Sequence, residues 1–425
     1  MNPARWLNHP SCDDQLVSTR LTRLDRFTIN KSSIRTPPLT LHHVRPSPAL
    51  GILHLLSPHI LPRSPCLFKH HDPTHPNRIS PLLSGSIDSF TRLASIHGLA
   101  FPLSFPSLKS ELNFIATLAL LNFASGYRAA LHEATGRGAY DNIRLLVMGM
   151  YIDSDSLMSA RGWINLSDAQ IASLLSISIH QERAHETIPG LIVAERGGQL
   201  SELVGMIGQT LREAGEVLVQ GGYEDLGAFV VEGLGVAKGS AEVLVERLVK
   251  AIPGFSGMGV VDGQPVYLFK KALFLVHAIA LRFKGKSGIT VPDTANLPVF
   301  SDNVLPSMLV HLGILDISNG PAGLREAFPD AGNPDKITKL YQAPAPSEAK
   351  RGTPTRESPL LNARDAYILR AAAVDACEEI VRVAREGAKA DDPEWRKNMT
   401  LPELDGWLWS VAKDRSECGE GSDGL

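Results

Sequence analysis

The sequence predicts an all-α fold, and three observations support that prediction. From Ser110 onward apolar residues recur at spacings of three and four, and glycines divide the pattern into segments. Runs of the β-branched residues that strands favour are few. With 44% apolar and 20% charged residues in 425, the chain has the composition of a folded protein with a sizeable core. We therefore expect a single helical domain over residues 91–418.

The first half of this domain predicts six helices, over residues 111–123, 141–151, 166–175, 201–220, 223–234 and 240–252. The first helix is apolar on almost every side, which is typical of a helix in the middle of a bundle. It is expected to end at Ser125-Gly126. Ser167 can cap the third helix, because its side-chain oxygen can accept a hydrogen bond from a first-turn N–H group.

The second half predicts four more helices, over residues 269–283, 303–315, 363–386 and 401–414. Lys270 and Lys271 stand near the start of the first of these, where cations oppose the helix dipole, so we expect an anionic partner or exposure to solvent. Pro306 fits a first helical turn. The Pro-rich stretch 329–360 is expected to be a mobile loop inserted between helices.

The N-terminal segment, residues 1–90, differs from the rest of the chain. It holds 12 of the 29 prolines and 8 of the 14 histidines, and residues 1–110 carry 12 Lys and Arg against 5 Asp and no Glu, a balance of +7. Such a segment buries little surface. We predict that it is disordered or an erroneous gene translation and dispensable for solubility; a targeting peptide and a genuine domain are the alternatives. Its histidine pairs are not taken as a metal site.

Composition and absent motifs exclude several classes of function. Residues 111–425 carry 30 basic against 40 acidic residues, a balance of -10, which would repel nucleic acid phosphates. No apolar run reaches the roughly 18 residues of a membrane span. The four cysteines form no CxxC pair, which indicates a reducing, cytoplasmic setting without a zinc site. No phosphate-binding glycine loop, HExxH or GxSxG occurs, so no metal or organic cofactor is predicted.

Two aspartates stand in apolar surroundings and have two interpretations each. Asp302 precedes a predicted helix, where it could be an N-terminal cap or a catalytic carboxylate in a water-poor place. Asp405, next to Trp407 and Trp409, could likewise cap a helix or make a polar contact inside an aromatic-lined pocket. Without further context the tryptophans would be core residues, His97 a loop residue, and the lysine pair a solvated helix start.

Four blocks taken together indicate a known family. They are Glu111-Leu-Asn-Phe with Leu120-Leu-Asn-Phe, then Phe269-Lys-Lys-Ala, then Phe300-Ser-Asp-Asn-Val-Leu-Pro, and finally Leu404-Asp-Gly-Trp-Leu-Trp. In order and spacing, from residue 95 to residue 414, the chain resembles the queuosine salvage family of queuosine 5'-phosphate N-glycosylase/hydrolases. The stretch 131–141 looks like the form found in fungal members.

The resemblance implies an all-α fold related in architecture to helical DNA glycosylases. It also implies cleavage of the N-glycosidic bond of queuosine 5'-monophosphate, which releases queuine for tRNA modification, without a metal or cofactor. By position, Asp302 matches the catalytic aspartate of the family and His97 a histidine that helps to hold the base. Asp405 and Trp409 match the C-terminal block. The partner is thus a small nucleotide, with no direct contact to nucleic acid or membrane.

The chemistry of that reaction suggests further roles. A carboxylate close to C1' stabilises or attacks the oxocarbenium-like centre that forms as the bond to the base breaks. Aromatic stacking and hydrogen bonds to the base would come from Phe255, Trp409 and His97. Lys270 and Lys271 offer cations for the phosphate. Asn303, next to the catalytic position, joins the candidate substrate-binding residues.

The chain departs from the family pattern in two places. Asn303-Val304 stands where other members have Tyr-Arg. Phe255-Ser-Gly stands where members commonly carry an aromatic-Arg-Asp triplet, so the aspartate is absent at Gly257 unless Asp262 replaces it from a shifted loop. We expect a weak hydrolase. The alternatives are a helical protein that binds queuine or a modified nucleotide without cleaving it and, more distantly, a DNA-directed glycosylase, which the charge of -10 opposes.

Overall fold

The computed structural model describes residues 101–185, 192–318, 320–335 and 360–414, together with positions 5–6, 83, 90, 99 and 187–188. His97, nearly all of the segment 1–90 and most of the predicted loop 329–360 lie outside the described residues. The described part is mostly helical, which confirms the predicted fold class.

Fourteen α-helices make up most of the described residues. They are α1 Leu108–Leu120, α2 Arg128–Thr135, α3 Ala139–Asp153, α4 Ala160–Asn165, α5 Asp168–Leu175, α6 Gly198–Gly221, α7 Leu226–Ala237, α8 Ala241–Ala251, α9 Lys270–Arg282, α10 Val304–His311, α11 Ala322–Ala327, α12 Ala363–Glu386, α13 Glu394–Lys397 and α14 Leu401–Asp414. Short 3-10 turns, Ala124–Tyr127, Asp155–Met158 and Pro253–Phe255, connect some of them.

Local signals explain where several helices begin and end. Ser167 accepts a hydrogen bond from Gln170 N while the Gln170 side chain bonds back to the Ser167 N–H, so the predicted cap of α5 is a full capping box. The predicted bounds of α12 and α14 agree with the structure residue for residue. Helix α1 stops at Leu120, earlier than predicted, and Ala124–Tyr127 forms a separate 3-10 turn.

In the described part of the chain, six short strands form three two-stranded sheets that the all-helical prediction did not include. Strand β1 (Arg5–Trp6) pairs parallel with β6 (Leu360–Leu361), and β2 (His180–Ala184) pairs antiparallel with β3 (Ile192–Arg196). The hairpin of β4 (Met258–Val261) and β5 (Gln264–Tyr267) turns at Asp262 and Gly263, which have φ values of 50° and 79°. Asp-Gly is the usual sequence of such a turn, so this hairpin could have been predicted.

The core consists of two hydrophobic clusters. The first surrounds α1, whose residues 111–120 are all buried and which contacts α3, α7 and α9. This confirms the central position predicted for that helix. The second cluster is built by α10, α12 and α14, which contact one another pairwise. Leu83 and Phe90 are buried in the second cluster, where Phe90 stacks on Trp395 with ring centroids 4.5 Å apart.

The two clusters share a boundary at two chain segments. Phe269 and Phe300 belong to the first cluster, whereas the preceding residues, Leu268 and Val299, belong to the second. Each segment leads directly into a helix, α9 or α10. The N-terminal ends of these two helices therefore lie at the junction of the clusters, where the candidate site is found.

None of the described helices is, by itself, both long and apolar enough to cross a bilayer. Among them, one pair, Leu108–Leu120 and Ala124–Thr135, reaches the length and apolar composition of a membrane span when its two members are taken together, and this pair is bent by 58°.

Candidate functional site

The four blocks that suggested the family meet at the junction of the two clusters. Lys270 Nζ lies 3.4 Å from Asp302 Oδ2 and 3.3 Å from both Asn122 O and Asn122 Oδ1. Asp405 Oδ2 accepts a hydrogen bond of 2.8 Å from Phe300 N. One residue from each block thus contacts a residue of another, although up to 283 positions separate Asn122 from Asp405 along the chain.

Asp302 combines the two roles that the sequence left open. Its Oδ1 accepts hydrogen bonds from Val304 N at 2.8 Å and from Leu305 N at 3.2 Å, which caps α10. Its Oδ2 faces the Lys270 ammonium, and the side chains of Asp302 and Lys270 are only 13% and 14% exposed. Two N–H donors and a cation thus surround this carboxyl group. The capping function therefore coexists with a largely buried side chain that faces a lysine.

Asp405 does not cap a helix. It lies in the second turn of α14, whose start is held by hydrogen bonds between Thr400 and Glu403. The second interpretation, a buried polar contact, is the one that the structure supports. Burial, and secondarily the charge of Asp302, raises the pKa of Asp405 to about 7, while the Phe300 N–H and the charge of Lys270 act in the opposite direction.

Lys271 occupies a different environment from Lys270. Its ammonium lies 5.0 Å from the centre of the Phe123 ring, and within the described part of the chain it forms no ion pair with a carboxylate. Burial, together with the charges of Lys270 and Arg370, lowers the pKa of Lys271 to about 7. An anion bound beside it would favour its charged form. Lys270 thus has the anionic partner that was predicted, Asp302. For Lys271 an anionic partner stays a prediction.

The lysine pair follows a residue with an unusual backbone conformation. Phe269 has a φ of 41°, in the left-handed region that bulky residues avoid, and its side chain is buried. Its N–H donates to Gly257 O at 3.2 Å, as does the N–H of Leu268 at 2.9 Å. This turn sets the direction in which α9 begins. Strain of this kind is retained where the surrounding structure requires it, frequently at functional sites.

Two aromatic side chains lie beside the carboxylates. Trp409 is one helical turn beyond Asp405 on α14, so both project from the same side of that helix. The Trp409 ring meets Tyr140, at the start of α3, edge to face with centroids 6.1 Å apart. Both rings are partly exposed. Burial raises the pKa of Tyr140, so its hydroxyl keeps its proton at neutral pH.

Three predicted site residues remain, Phe255, Asn303 and His97. Phe255 has no exposed surface and packs in the first cluster, so a stacking role for it stays a prediction. Asn303 is 8% exposed, and its Oδ1 accepts no hydrogen bond from any of the described residues. His97 lies outside the described residues, so its role also stays a prediction.

Asp262 does not replace the missing aspartate at Gly257. It lies at the exposed tip of the β4–β5 hairpin, where its carboxylate pairs with Arg364 at 2.6 and 2.9 Å. A Cβ atom built on Gly257 would lie 3.4 Å from Phe269 N and 3.9 Å from Lys270 N. The side chain that the family commonly has at this position would thus project toward the start of α9.

Sequence reasoning missed three residues of the site. Arg370 in α12 donates two hydrogen bonds to the backbone oxygen of Ser301, the residue before Asp302. A signal existed, because Arg370 is the one charged residue in an otherwise apolar stretch over residues 366–374. Asn122 stood within a recognised block without a role, and Tyr140 follows a glycine turn that was given no function. No local pattern indicated which residues these side chains contact.

Metal binding finds no support in the described residues. Among them, no three His, Cys, Asp or Glu side chains lie close enough together to hold a metal ion.

Two curated proteins are similar to part of this chain. The queuosine 5'-phosphate N-glycosylase/hydrolase of Sphaerobacter thermophilus is 31% identical over 130 residues, which cover 30% of this chain and 39% of the relative. The Bos taurus protein of the same name is 28% identical over 109 residues, which cover 26% of this chain and 31% of the relative. The chain therefore aligns with well under half the length of these curated relatives.

A sequence model of the queuosine salvage protein family matches residues 104–322, slightly more than half of the chain. The matched region includes three of the four converging blocks, with Asn122, Lys270 and Asp302. Asp405 and Trp409, from the fourth block, lie beyond its end. On the extent of this match, the chain belongs to the queuosine salvage protein family.

Proposed function

We propose that the protein hydrolyses the N-glycosidic bond of queuosine 5'-monophosphate and releases queuine for salvage. The observation that carries the proposal is the environment of Asp302. One of its oxygens is held by two backbone N–H groups and the other faces Lys270, in a largely buried place. The names of the two relatives, both queuosine 5'-phosphate N-glycosylase/hydrolases, supply the substrate and the bond.

In this reaction the bond between C1' and the base nitrogen breaks, and its electron pair leaves with the base. Asp302 would stabilise the positive charge that develops at C1' until water adds there, or form a bond to C1' that water then hydrolyses. In either case the oxygen of the water ends on C1', and one of its protons balances the electron pair that the base takes. The hydrogen bonds from Val304 and Leu305 keep the carboxylate in place without requiring reorganisation during the reaction. The pKa of Asp405 is about 7, so this carboxyl group is largely protonated below that pH. Its protonation reduces the repulsion between Asp405 and Asp302.

The phosphate would bind at Lys271 rather than equally at both lysines. Lys270 already faces Asp302 and Asn122, whereas Lys271 pairs with no carboxylate among the residues that the structure describes. A phosphate carrying nearly two negative charges would restore the charged form of Lys271. The base would lie against the partly exposed Trp409, with Tyr140 supporting that ring from the side.

The proposal is tested by replacing Asp302 with asparagine. Asp302→Asn keeps the size of the side chain and an oxygen that can cap α10, but it removes the negative charge that would face C1'. We expect a folded protein that still binds the nucleotide but loses nearly all turnover and releases queuine only at a small residual rate. Free base is quantified by chromatography after incubation with queuosine 5'-monophosphate, and nucleotide binding by calorimetry.

The same experiment separates hydrolysis from the alternative, a protein that binds queuine or a modified nucleotide without cleaving it. Asp316→Asn, which changes another aspartate that accepts a backbone hydrogen bond, is the matched control and should keep full activity. Equal turnover in the wild type and Asp302→Asn would contradict the role of Asp302. Tight binding without any base release by the wild type would support the alternative.

A further inference from the structure

The segment that carries Asp302 is attached to α12 through one arginine. Arg370 donates from Nε to Ser301 O at 3.0 Å and from Nη2 to the same oxygen at 2.8 Å. Ser301 Oγ donates in return to Arg370 O at 2.8 Å. Ser301 is fully buried, so these three hydrogen bonds form without competition from solvent. They connect a single helical residue to the residue next to Asp302.

A second attachment lies on the other side of the same segment. Phe300 N donates to Asp405 Oδ2 at 2.8 Å, which ties the segment to α14. The two residues before Asp302 are therefore held by two different helices, and the residues after it belong to α10. A change at Arg370 removes no donor or acceptor of the Asp405 attachment or of the cap of α10, so any effect on Asp302 arises from the lost contact with Ser301.

Arg370 also has an electrostatic role that a neutral donor would lack. Burial lowers its pKa, and the nearby charge of Asp302 counteracts part of that effect. Its guanidinium lies 5.5 Å from the centre of the Tyr367 ring, and Tyr367 OH donates to Met258 O at 2.9 Å. The arginine is thus fixed in orientation by the ring, while both of its donors on one edge point at one carbonyl oxygen.

From this geometry we infer that Arg370 is a positioning residue for Asp302, which it holds in the orientation needed for the reaction by fixing the Ser301 carbonyl. Only the expected effect of Arg370 on the reaction rate rests on the proposed function. A carboxylate that faces C1' loses much of its effect when it shifts by about 1 Å, which costs up to about a hundredfold in rate. Arg370 itself does not contact the reacting atoms.

The test compares three single variants. Arg370→Gln removes the charge and the paired hydrogen bonds; Arg370→Lys keeps the charge and one donor group. Arg385→Gln is the matched control, because Arg385 on the same helix also donates from Nε to a backbone oxygen, that of Met399, at 2.8 Å. We expect Arg370→Gln to lower kcat by about ten- to a hundredfold with KM changed by less than about threefold, Arg370→Lys to be intermediate, and the control to keep wild-type kcat.

A double variant tests whether the effect passes through Asp302. In an Asp302→Asn background, Arg370→Gln should not reduce the residual rate further, because the group that it positions is already gone. An equal additional loss in that background would overturn the inference. A raised KM with unchanged kcat would overturn it as well, since it would make Arg370 a substrate-binding residue.

Hydrogen exchange tests the positioning without any turnover. The amides of Val304 and Leu305 donate to Asp302 Oδ1, so they report whether that side chain stays in place. Arg370→Gln should accelerate their exchange relative to Arg385→Gln, and unchanged exchange would refute the inference whatever the activity. If exchange accelerates but the wild type releases no queuine, the positioning stands and the proposed function fails.

Discussion

Asp302 and Asp405 show how two neighbouring carboxyl groups differ when only one has a cation beside it. Asp302 has Lys270 at 3.4 Å and two backbone donors, whereas Asp405 has one backbone donor and deeper burial. Burial, and secondarily the charge of Asp302, raises the pKa of Asp405 to about 7, so Asp405 is partly protonated near neutrality.

Asp405 should make the stability of the protein depend on pH. Its pKa is 3.8 in the unfolded chain and about 7 in the folded one, so the folded state binds more protons between these values. The free energy of unfolding then falls as pH rises through this window, by at most about 1.4 kcal/mol per pH unit. Asp405→Asn keeps an oxygen acceptor for Phe300 N but does not titrate.

Urea unfolding of the wild type and of Asp405→Asn, at several pH values from 4 to 8, measures this contribution. We expect the variant to gain in stability relative to the wild type as pH rises, by a total on the order of 3 kcal/mol. Parallel stability curves for the two proteins would show that Asp405 is not a proton-holding group.

Gly257 is the second residue at which a single change is informative. A Cβ atom there would make only ordinary contacts, the nearest with Phe269 N at 3.4 Å, and the backbone of Gly257 is not in the left-handed region. Gly257→Asp should therefore fold. If a carboxylate at this place pairs with donors on the base, kcat/KM should rise by about ten- to a hundredfold.

Gly257→Asn provides the control of the same size without the charge. An increase in kcat/KM for aspartate alone identifies a charged contact, whereas an equal increase for both identifies an effect of shape. Lower activity at an unchanged melting temperature would contradict the missing-contact hypothesis, and the new carboxylate would then be acting through Lys270, whose amide nitrogen is 3.9 Å from the added Cβ.

At the scale of elements, α9 begins with two lysines, although the N-terminal end of a helix ordinarily favours anions. Lys270 and Lys271 add their charge to the positive end of the helix dipole, and the left-handed turn at Phe269 directs both of them. Lys270 is compensated by Asp302, so the uncompensated charge resides on Lys271. An anionic group of the substrate is the natural complement of this end of α9.

The pKa of Lys271, lowered to about 7, predicts a pH dependence of KM. As pH rises above 7, the free protein loses the lysine charge, and KM for queuosine 5'-monophosphate should rise by up to about tenfold per pH unit. Lys271→Met should raise KM at pH 6.5 and abolish this dependence. Lys284→Met, which changes an exposed lysine just after α9, should do neither.

The nucleoside queuosine extends this test. Because it lacks the phosphate, its KM should not follow the protonation of Lys271. An identical pH dependence for nucleoside and nucleotide would place the titrating group elsewhere.

At the scale of the whole molecule, both hydrophobic clusters contribute residues to the candidate site. The first supplies Asn122 and the two lysines, whereas the second supplies Arg370, Asp405 and Trp409. Relative movement of the clusters would separate Lys270 from Asp302. Residues that stabilise the second cluster therefore matter for activity even when they are distant from the carboxylates.

Leu83 and Phe90 are two such residues, and they refine the prediction that residues 1–90 are dispensable. Both are at least 95% buried, and Phe90 contacts the rings of Trp395 and Trp407. Removing residues 1–82 should cost little stability. Removing residues 1–90 should cost several kcal/mol, because deleting one buried phenylalanine side chain alone costs about 3–5 kcal/mol.

Thermal unfolding of the two truncated proteins, with Phe90→Ala in the full chain for comparison, measures the difference. We expect the melting temperature to fall in the order wild type, shorter truncation, Phe90→Ala, longer truncation. Equal melting temperatures for the two truncations would show that Leu83 and Phe90 contribute nothing to the second cluster.

Much of the helical structure could be predicted because it depends on local patterns. The apolar spacing of α12 and α14 and the cap of Ser167 depend on residues a few positions apart, so periodicity and capping rules were sufficient. The three small sheets were missed because their strands have only two to five residues, too few for alternation to stand out against a helical background. The turn at Asp262-Gly263 was a local signal that could have identified the β4–β5 hairpin.

For the site, sequence blocks identified Asp302, Asp405 and the lysine pair as candidates, but the distribution of their charges required the folded chain. Which lysine faces Asp302, and which carboxyl group retains a proton, depend on distances of a few ångströms between residues far apart in sequence. Arg370 acts on Asp302 through a backbone carbonyl, a contact that no side-chain pattern encodes. Electrostatic energy varies with distance and burial, and only packing of the two clusters sets both.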